Sequence, residues 1–315
     1  MQLTAPHDGK DDAISAASLR RRISDLVGDA TLELSARDRR AADNCRAFIP
    51  PGRAIYVNFA PGDRFAGSIE TAKQLSRAGF RPVPHVAARY LTGKAQLEDF
   101  LARLHGEAGA DEALAIAGDR ATAAGPFHSS LEMIESGAFE KHGFKRIGIA
   151  GYPEGHPKIS TRALDNALRL KIARAHLAGL SPVIVTQFAF DARPILDWIR
   201  RMRGGGVTAP LRVGLAGPAS IGTLTKYALR CGVGNSIRAL MSRQTSVARL
   251  LTESGPEPVI ACLIRGETGE LDIAGLHFFN FGGIGRTGSW MRKIARGDFA
   301  LSGEATGFRV MTETA

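Results

Sequence analysis

Residues 146–188 read RIGIAGYPEGHPKISTRALDNALRLKIARAHLAGLSPVIVTQF. A short apolar run, Arg146–Ala150, precedes an amphipathic stretch, Arg162–Leu177, and a second apolar run, Val183–Phe188. Continuous apolarity is typical of a strand that is covered on both faces, and Gly179 stands where the helical stretch should end. The segment therefore predicts a strand, a helix and a second strand of one parallel sheet.

The same alternation runs through the chain. Further predicted strands are Thr31–Leu34, Ala54–Phe59, Pro82–Ala87, Ala113–Ala117, Leu211–Leu215 and Gly275–Phe279. Further predicted helices are Ser68–Ala78, Gln96–Glu107, Ala192–Met202, Ser220–Cys231 and Arg243–Glu253. Eight strands separated by helices, at a spacing of roughly 30 residues, predict an α/β fold of the (β/α)8 TIM-barrel type.

An open doubly wound sheet is the structural alternative. Such a sheet usually has a glycine-rich turn after its first strand, whereas Ser35–Asp38 reads SARD. Gly282–Gly285 is the nearest glycine-rich segment and lacks the third glycine of the dinucleotide-binding pattern. The barrel is therefore preferred. We expect residues 1–28 to form an N-terminal extension with a helix at Ala16–Val27, and residues 29–315 to form a single catalytic barrel domain.

The composition is that of an ordinary globular protein, with 44% hydrophobic and 23% charged residues among 315. No apolar run of about 18 residues predicts a membrane span, and the polar N-terminus does not resemble a secretory signal. Cys45, Cys231 and Cys262 are odd in number and widely spaced, which favours a reducing, cytoplasmic location over a disulfide framework. The sequence is compatible with a homo-oligomer.

The net charge of +10 raises the question of nucleic-acid binding. The arginines are scattered along predicted helices and no nucleic-acid motif accompanies them, so we expect no nucleic-acid partner. A basic surface also suits small anionic molecules, such as a dinucleotide pyrophosphate or a polyglutamate tail.

In a barrel of this type the active site lies at the carboxyl ends of the strands. Polar residues at or near the predicted strand ends are Glu33, Asn58, His85, Asp119, Tyr152, Glu154, His156, Gln187, His277 and Asn280. Glu33 lies between two leucines, so it is either a general acid with a raised pKa or a carboxylate paired with a neighbouring arginine. Asp119 follows Gly118 and either approaches a flat ligand or caps the next helix.

Residues 151–157, GYPEGHP, form the most unusual segment of the chain. Two prolines stiffen a turn that displays Tyr152, Glu154 and His156, ahead of a helix whose N-terminus suits phosphate. The alternative is a rigid loop in which His156 makes a local hydrogen bond. Gln187 either recognises a pterin edge or a carboxamide through hydrogen bonds, or it is a buried amide bonded to backbone. No metal site is expected, because metal-ligand spacings are absent.

Two segments resemble a known family. Ala150–Pro157 and Ile184–Asp191 are similar to signature motifs of the methylenetetrahydrofolate reductases, with weaker support from residues 31–34, 83–85, 118–119 and 276–279. The resemblance implies a TIM-barrel oxidoreductase of one-carbon metabolism that binds FAD. It also implies interconversion of 5,10-methylenetetrahydrofolate and 5-methyltetrahydrofolate, with NADH or NADPH as a hydride donor.

The resemblance also implies residue roles. Glu33 matches the family's acid, Asp119 a residue that contacts both pterin and flavin, and Gln187 the residue that reads folate. The implied flavin contacts are Asn58, Phe59, His85, Gly118, Asp119, Tyr152, Glu154, His156, Asp165 and Lys171.

The chain departs from the family pattern at the fourth strand. Ala117 stands where the family usually has arginine, which removes a cation near the flavin. Such departures resemble a divergent bacterial branch associated with demethylation pathways, in which the reaction runs as 5-methyltetrahydrofolate oxidation. The alternative function is a folate-binding protein or a non-redox folate enzyme that has lost its flavin.

Overall fold

Eight parallel strands close into a barrel. The structure, a computed structural model, describes residues 15–38, 40–233, 253–266, 271–302 and 307–311. The barrel strands are β1 (Thr31–Ser35), β2 (Ala54–Asn58), β3 (Arg81–Ala87), β4 (Glu112–Ile116), β5 (Arg146–Gly151), β6 (Ser181–Thr186), β7 (Leu211–Ala216) and β10 (Ile273–Phe279). Their order around the barrel is β1-β10-β7-β6-β5-β4-β3-β2, and β2 pairs with β1. The predicted TIM barrel is confirmed, and the open sheet is excluded.

Helices lie between the strands. They are α1 (Ala16–Gly28), α2 (Ala41–Arg46), α3 (Phe65–Arg77), α4 (Lys94–Ala108), α5 (Ser130–Glu135), α6 (Ala138–Lys141), α7 (Thr161–Leu177), α8 (Ala192–Gly204), α9 (Ile221–Cys231), α10 (Glu257–Gly266) and α11 (Ile284–Ala295). Two small antiparallel sheets pair β8 (Ala219–Ser220) with β9 (Glu253–Ser254), and β11 (Phe299–Leu301) with β12 (Phe308–Val310).

The β5–α7–β6 unit shows how local sequence sets the fold. The alternate β5 residues Ile147 and Ile149 are fully buried, and Ser160 caps α7 by accepting a hydrogen bond from the Ala163 N–H. Gly179 follows the helix at φ +73°, a conformation that glycine adopts at low cost. These signals were readable in the sequence, and the predicted unit is confirmed.

Five helices were not predicted, namely α2, α5, α6, α10 and α11. In α11, Ile284, Trp290 and Ile294 are buried on one helical face. Gly288 is required there, because a Cβ atom would lie 2.7 Å from Cβ of Phe48. The predicted helix at Arg243–Glu253 falls outside the described residues except for Glu253, which begins β9.

The barrel interior is closed at its N-terminal end. Apolar side chains from four strands fill the middle: Tyr56, Val83, Leu114 and Val185. Below them Glu112, the first residue of β4, accepts a hydrogen bond from Tyr56 Oη at 3.2 Å. Arg146 and Arg81 reach the same carboxylate at 2.8 and 3.3 Å. These polar side chains close the amino end, so the carboxyl end is the open end of the barrel.

The predicted N-terminal helix is present as α1. Leu19, Ile23 and Val27 are buried on one face of it, and the helix packs against α11. Arg20 lies 4.8 Å from the ring centroid of Phe299 and donates a hydrogen bond to the Phe299 carbonyl at 2.7 Å. Among the helices that the structure describes, none combines the length and apolarity that a membrane crossing requires.

Candidate functional site

A buried carboxylate lies between two imidazoles inside the open end of the barrel. Glu33 pairs in register with Tyr56, while Asn58 closes β2, His85 lies on β3 and His277 on β10. Glu33 Oε2 is 3.6 Å from His85 Nε2 and 3.7 Å from His277 Nε2. Asn58 Nδ2 donates to Glu33 Oε1 at 3.4 Å. Three strands thus surround one carboxylate with nitrogen atoms, a group that we call the Glu33 cluster.

The Glu33 cluster favours the ionised form of its carboxylate. Burial on its own would raise the pKa of Glu33, but the imidazoles of His277 and His85 and the Asn58 amide together lower it. The expectation of a raised pKa is therefore wrong. The alternative, an arginine partner, is also wrong, because the groups beside the carboxylate are histidines. Burial also lowers the pKa of His85 to about 4, so this imidazole is neutral near pH 7.

His277 is held from its far side by β1. Thr31 pairs with His277 in the ladder, and its hydroxyl Oγ1 lies 2.9 Å from His277 Nδ1. The His277 residue is fully buried, and its ring packs edge-on against Tyr56 at 4.6 Å and Phe279 at 5.1 Å between centroids. These contacts leave the imidazole little freedom, so its Nε2 points consistently toward Glu33.

The β3 and β4 ends carry a second polar contact. Asp119 Oδ1 accepts a hydrogen bond from Tyr90 Oη at 2.6 Å. Gly118 before it has φ +84°, and a Cβ atom there would lie 3.2 Å from the Tyr90 ring. Phe59 packs edge-on against Tyr90, with 5.1 Å between centroids. The next helix, α5, is capped by Ser129, so the helix-cap interpretation of Asp119 is wrong.

The loop 152–157 lies beyond β5. Tyr152 packs edge-on against His156 at 5.9 Å, and His156 Nδ1 accepts a hydrogen bond from the Lys158 N–H at 3.2 Å. The local hydrogen bond foreseen as the alternative for His156 is therefore present. Burial, followed by the nearby charges of Lys158 and Arg89, lowers the pKa of His156. The loop also carries Glu154, which is half-buried.

The β6 end carries Gln187 and begins an aromatic wall. Gln187 Oε1 accepts a hydrogen bond from the Phe188 N–H at 3.1 Å, the backbone-bonded arrangement that was one of its two interpretations. The aromatic wall consists of Phe188, Phe279, Phe281 and Tyr227. Phe281 stacks on Tyr227 at 4.1 Å and meets Phe188 at 4.8 Å. It adjoins the Glu33 cluster through the contact between Phe279 and His277.

The end of α9 lies against the loop 152–157. A Cβ atom on Gly232 would lie 2.6 Å from Pro157 Cδ, so the chain packs closely there. Burial and the charge of Glu33 raise the pKa of the Cys231 thiol to about 11. Cys231 is therefore an uncharged neighbour of the Glu33 cluster.

Two sequence-predicted residues lie on the outer helix α7. Asp165 Oδ2 accepts a hydrogen bond from Arg201 Nε on α8 at 3.1 Å, so its carboxylate joins two helices. Lys171 is half-buried, and burial lowers the pKa of its amine. Asp165 therefore contacts a neighbouring helix. In the described structure neither Asp165 nor Lys171 contacts the residues of the Glu33 cluster.

Sequence reasoning missed Thr31, Tyr90 and most of the aromatic wall. Thr31 gave no signal, because a threonine in a strand is ordinary. Tyr90 follows a predicted strand end by three residues, so a wider window around that end would have included it. In the described part of the chain, no group of three His, Cys, Asp or Glu side chains is arranged to hold a metal ion.

A profile of the methylenetetrahydrofolate reductase family matches residues 55–247. The chain belongs to this family. A stretch of 69 residues is 30% identical to methylenetetrahydrofolate reductase 2 of Saccharomyces cerevisiae, covering 22% of this chain and 11% of the yeast protein. The chain thus aligns with about a tenth of that curated relative.

Two solved structures are similar to this methylenetetrahydrofolate reductase family member, and one of them shows the shared fold. An uncharacterized Clostridium thermocellum protein that binds two copies of 5-methyl-5,6,7,8-tetrahydrofolic acid has a TM-score of 0.57 at 10% identity, covering 88% of this chain and 99% of that chain. Dihydropteroate synthase from Thermus thermophilus has a TM-score of 0.46 at 15% identity, covering 83% and 91%. At such identities the Clostridium match shows the barrel fold alone.

Proposed function

We propose that this chain is a flavin-dependent oxidoreductase that interconverts 5,10-methylenetetrahydrofolate and 5-methyltetrahydrofolate. The observation that carries the proposal is the Glu33 cluster: a buried, ionisable carboxylate at the open end of a barrel from this family. A buried carboxylate is costly to maintain unless it is paired, and such sites are often functional. Folate binding by the Clostridium thermocellum structure supports the same substrate class.

The residues at the barrel mouth fit a bound FAD in part. Asn58 Oδ1, His85 Nε2 and His277 Nε2 are buried polar atoms without a hydrogen-bond partner, the two imidazole nitrogens lying 3.6 and 3.7 Å from Glu33 Oε2. Buried polar atoms are normally satisfied, so Asn58 Oδ1 and His85 Nε2 suit the polar edge of a heterocycle. We propose that Phe59, Gly118, Tyr152, Glu154 and His156 complete the flavin site. Asp165 would have to leave Arg201 to take part.

The flavin would supply the redox chemistry by exchanging a hydride with the one-carbon unit. The protein would supply the proton and the positioning. In the direction of reduction, the bond between the methylene carbon and N10 breaks, its electron pair stays on N10, and N10 takes a proton from Glu33. In the direction of oxidation, Glu33 accepts the proton that N10 loses as that bond forms.

Asp119 and Gln187 are proposed to bind folate. The Tyr90 hydroxyl holds the Asp119 carboxylate at 2.6 Å, leaving its second oxygen for the amino and ring N–H groups of a pterin. Gln187 retains its amide N–H donors, because its hydrogen bond to the Phe188 backbone uses Oε1. The aromatic wall offers a flat apolar surface of the kind on which a ring packs.

The other components of the proposal rest on the family. NADH or NADPH is proposed as the hydride donor for reduction, with the enzyme serving one-carbon or demethylation metabolism. A cytoplasmic location is proposed on the three cysteines, each of which is free of a disulfide.

An anaerobic absorbance spectrum tests the function. The purified protein should show flavin bands, and 5-methyltetrahydrofolate should bleach them. Glu33→Gln should keep the flavin and lose turnover by about 100-fold or more, the usual scale of general acid–base catalysis. Glu70→Gln, an exposed change on α3, is the matched control and should react like wild type. Equal turnover in Glu33→Gln would remove Glu33 from the mechanism.

A second candidate is a folate protein that lacks flavin. Ala117, in place of the family's usual arginine, is the observation that favours it. A colourless preparation that takes up no added FAD but binds 5-methyltetrahydrofolate would establish this candidate and exclude the first.

A further inference from the structure

The Thr31–His277 pair lies behind Glu33. Three atoms define the arrangement: Thr31 Oγ1 is 2.9 Å from His277 Nδ1, and His277 Nε2 is 3.7 Å from Glu33 Oε2. Thr31 Oγ1 is also 3.4 Å from the Leu276 carbonyl, a much weaker contact. A hydroxyl has one proton to donate. The carboxylate that faces Nε2 favours a proton on that nitrogen, in which case Nδ1 accepts the hydrogen bond and Thr31 gives its proton to Nδ1.

The ring is then in a single tautomer. When Nδ1 accepts, the proton of a neutral imidazole lies on Nε2. Nε2–H then faces the carboxylate, whereas the opposite tautomer would direct a lone pair at it. The separation of 3.7 Å is longer than a hydrogen bond, but catalytic contacts of this kind often shorten when substrate binds.

We propose that Thr31 and His277 are positioning residues that keep Glu33 in its carboxylate form between turnovers. Thr31 fixes the tautomer of His277, and His277 presents Nε2–H to Glu33. This inference rests on the proposed function, because it names the groups that prepare Glu33 for its proton transfer. The carboxylate is ready to accept the N10 proton during oxidation. For reduction, Glu33 must first take up a proton.

His85, Cys231 and Asn58 also surround Glu33. His85 on β3 lies 3.6 Å away and is neutral near pH 7, since burial lowers its pKa to about 4. Cys231 near the end of α9 is uncharged, since its pKa is raised to about 11. Asn58 on β2 donates an amide N–H. Within the described residues, no lysine or arginine pairs with Glu33, so the two imidazoles and the Asn58 amide are the groups that hold its charge.

The test is the pH dependence of flavin bleaching by 5-methyltetrahydrofolate in single-turnover experiments. The rate in wild type should fall only at low pH, where Glu33 gains a proton. His277→Leu removes the donor while burial remains, so the acid limb should move up by about one to three pH units. His277→Gln restores an N–H donor and should bring the limb back toward wild type.

Variants of Thr31 provide an independent test of the same inference. Thr31→Val should move the acid limb in the same direction, and Thr31→Ser should restore it. Thr71→Val is the matched control, because the Thr71 hydroxyl donates to the Ala36 carbonyl outside the cluster. Its profile should match wild type. A merely structural role for His277 would lower stability or flavin affinity and leave the acid limb in place, which would overturn the proposal.

Nitrogen NMR separates this inference from the proposed function. With the His277 signals assigned by their loss in His277→Gln, Nε2 should be protonated at neutral pH in the wild-type protein. An unprotonated Nε2 would overturn the inference whatever the activity. This measurement needs no folate, and its readout comes from the wild-type protein. Failure of wild type to react with 5-methyltetrahydrofolate would instead contradict the proposed function.

Discussion

Glu33 and His85 are adjacent ionisable side chains, each with 7% of its residue surface exposed. Burial disfavours the charged form of both, yet the outcomes differ because their surroundings differ. Glu33 is stabilised by the Asn58 amide and the His277 N–H and keeps its charge. For His85, burial outweighs the attraction of Glu33 and lowers the pKa, and the neighbouring His277 imidazole adds to the effect of burial. One residue is thus kept as an anion and its neighbour as a neutral ring.

The sequence identified these residues but not their protonation. Glu33, Asn58 and His85 were found because each stands at or near a strand end. The lowered pKa of Glu33 depends on His277 and His85, which are distant along the chain and become neighbours only when the barrel closes. No local pattern in the sequence connects the two histidines to Glu33.

The first prediction concerns His85 and stability. Its folded-state pKa of about 4 lies below the ordinary 6.5, so the unfolded chain binds more protons between these values. The free energy of unfolding should therefore fall as pH drops from 6.5 to 4, by about 3 kcal/mol from this group. Chemical denaturation of wild type and His85→Gln at several pH values measures the difference.

The same experiment has a surface control. His176→Gln removes an exposed histidine on α7 and should retain the wild-type slope. If His85→Gln also retains the wild-type slope, His85 titrates normally in the folded protein and the lowered pKa is incorrect.

At the scale of single elements, close packing between strands explains where glycine is required. Gly214 in β7 is the sharpest case, because a Cβ atom would lie 2.1 Å from the Thr186 carbonyl oxygen. The Thr186 hydroxyl also accepts a hydrogen bond from the Gly214 N–H, at 2.8 Å. The sequence predicted β7 as a strand from its apolar residues, but the need for glycine depends on the neighbouring strand and could not be read locally.

The second prediction follows from this contact. Gly214→Ala should lower the free energy of unfolding by about 3 kcal/mol or more, the upper range for overpacking, because backbone must move. Gly106→Ala in α4 meets nothing within 4 Å and should raise stability by up to about 1 kcal/mol. Urea denaturation of both variants measures the contrast. Equal stability for Gly214→Ala and wild type would show that β6 and β7 are further apart.

At the scale of the whole molecule, barrel closure brings the site together. The pairing of β1 with β10 places Thr31 opposite His277 and so completes the Glu33 cluster. The alternation of apolar runs predicted eight strands, but the number of strands does not distinguish a closed barrel from an open sheet. The absence of a glycine-rich first turn favoured the barrel, and the β1–β10 pairing confirms it.

The last prediction concerns whether α1 folds together with the barrel. We propose that α1 extends a single barrel domain and does not fold separately. Ile23 is fully buried where α1 packs against α11, so Ile23→Ala should cost about 2–5 kcal/mol in a single unfolding transition. Arg21→Ala on the exposed face should change stability by less than about 0.5 kcal/mol.

Flavin affinity should be unchanged in both variants, because α1 leads into the start of β1, away from the barrel mouth. An early, separate transition in Ile23→Ala, with barrel and flavin signals unaffected, would show that α1 is an independent appendage.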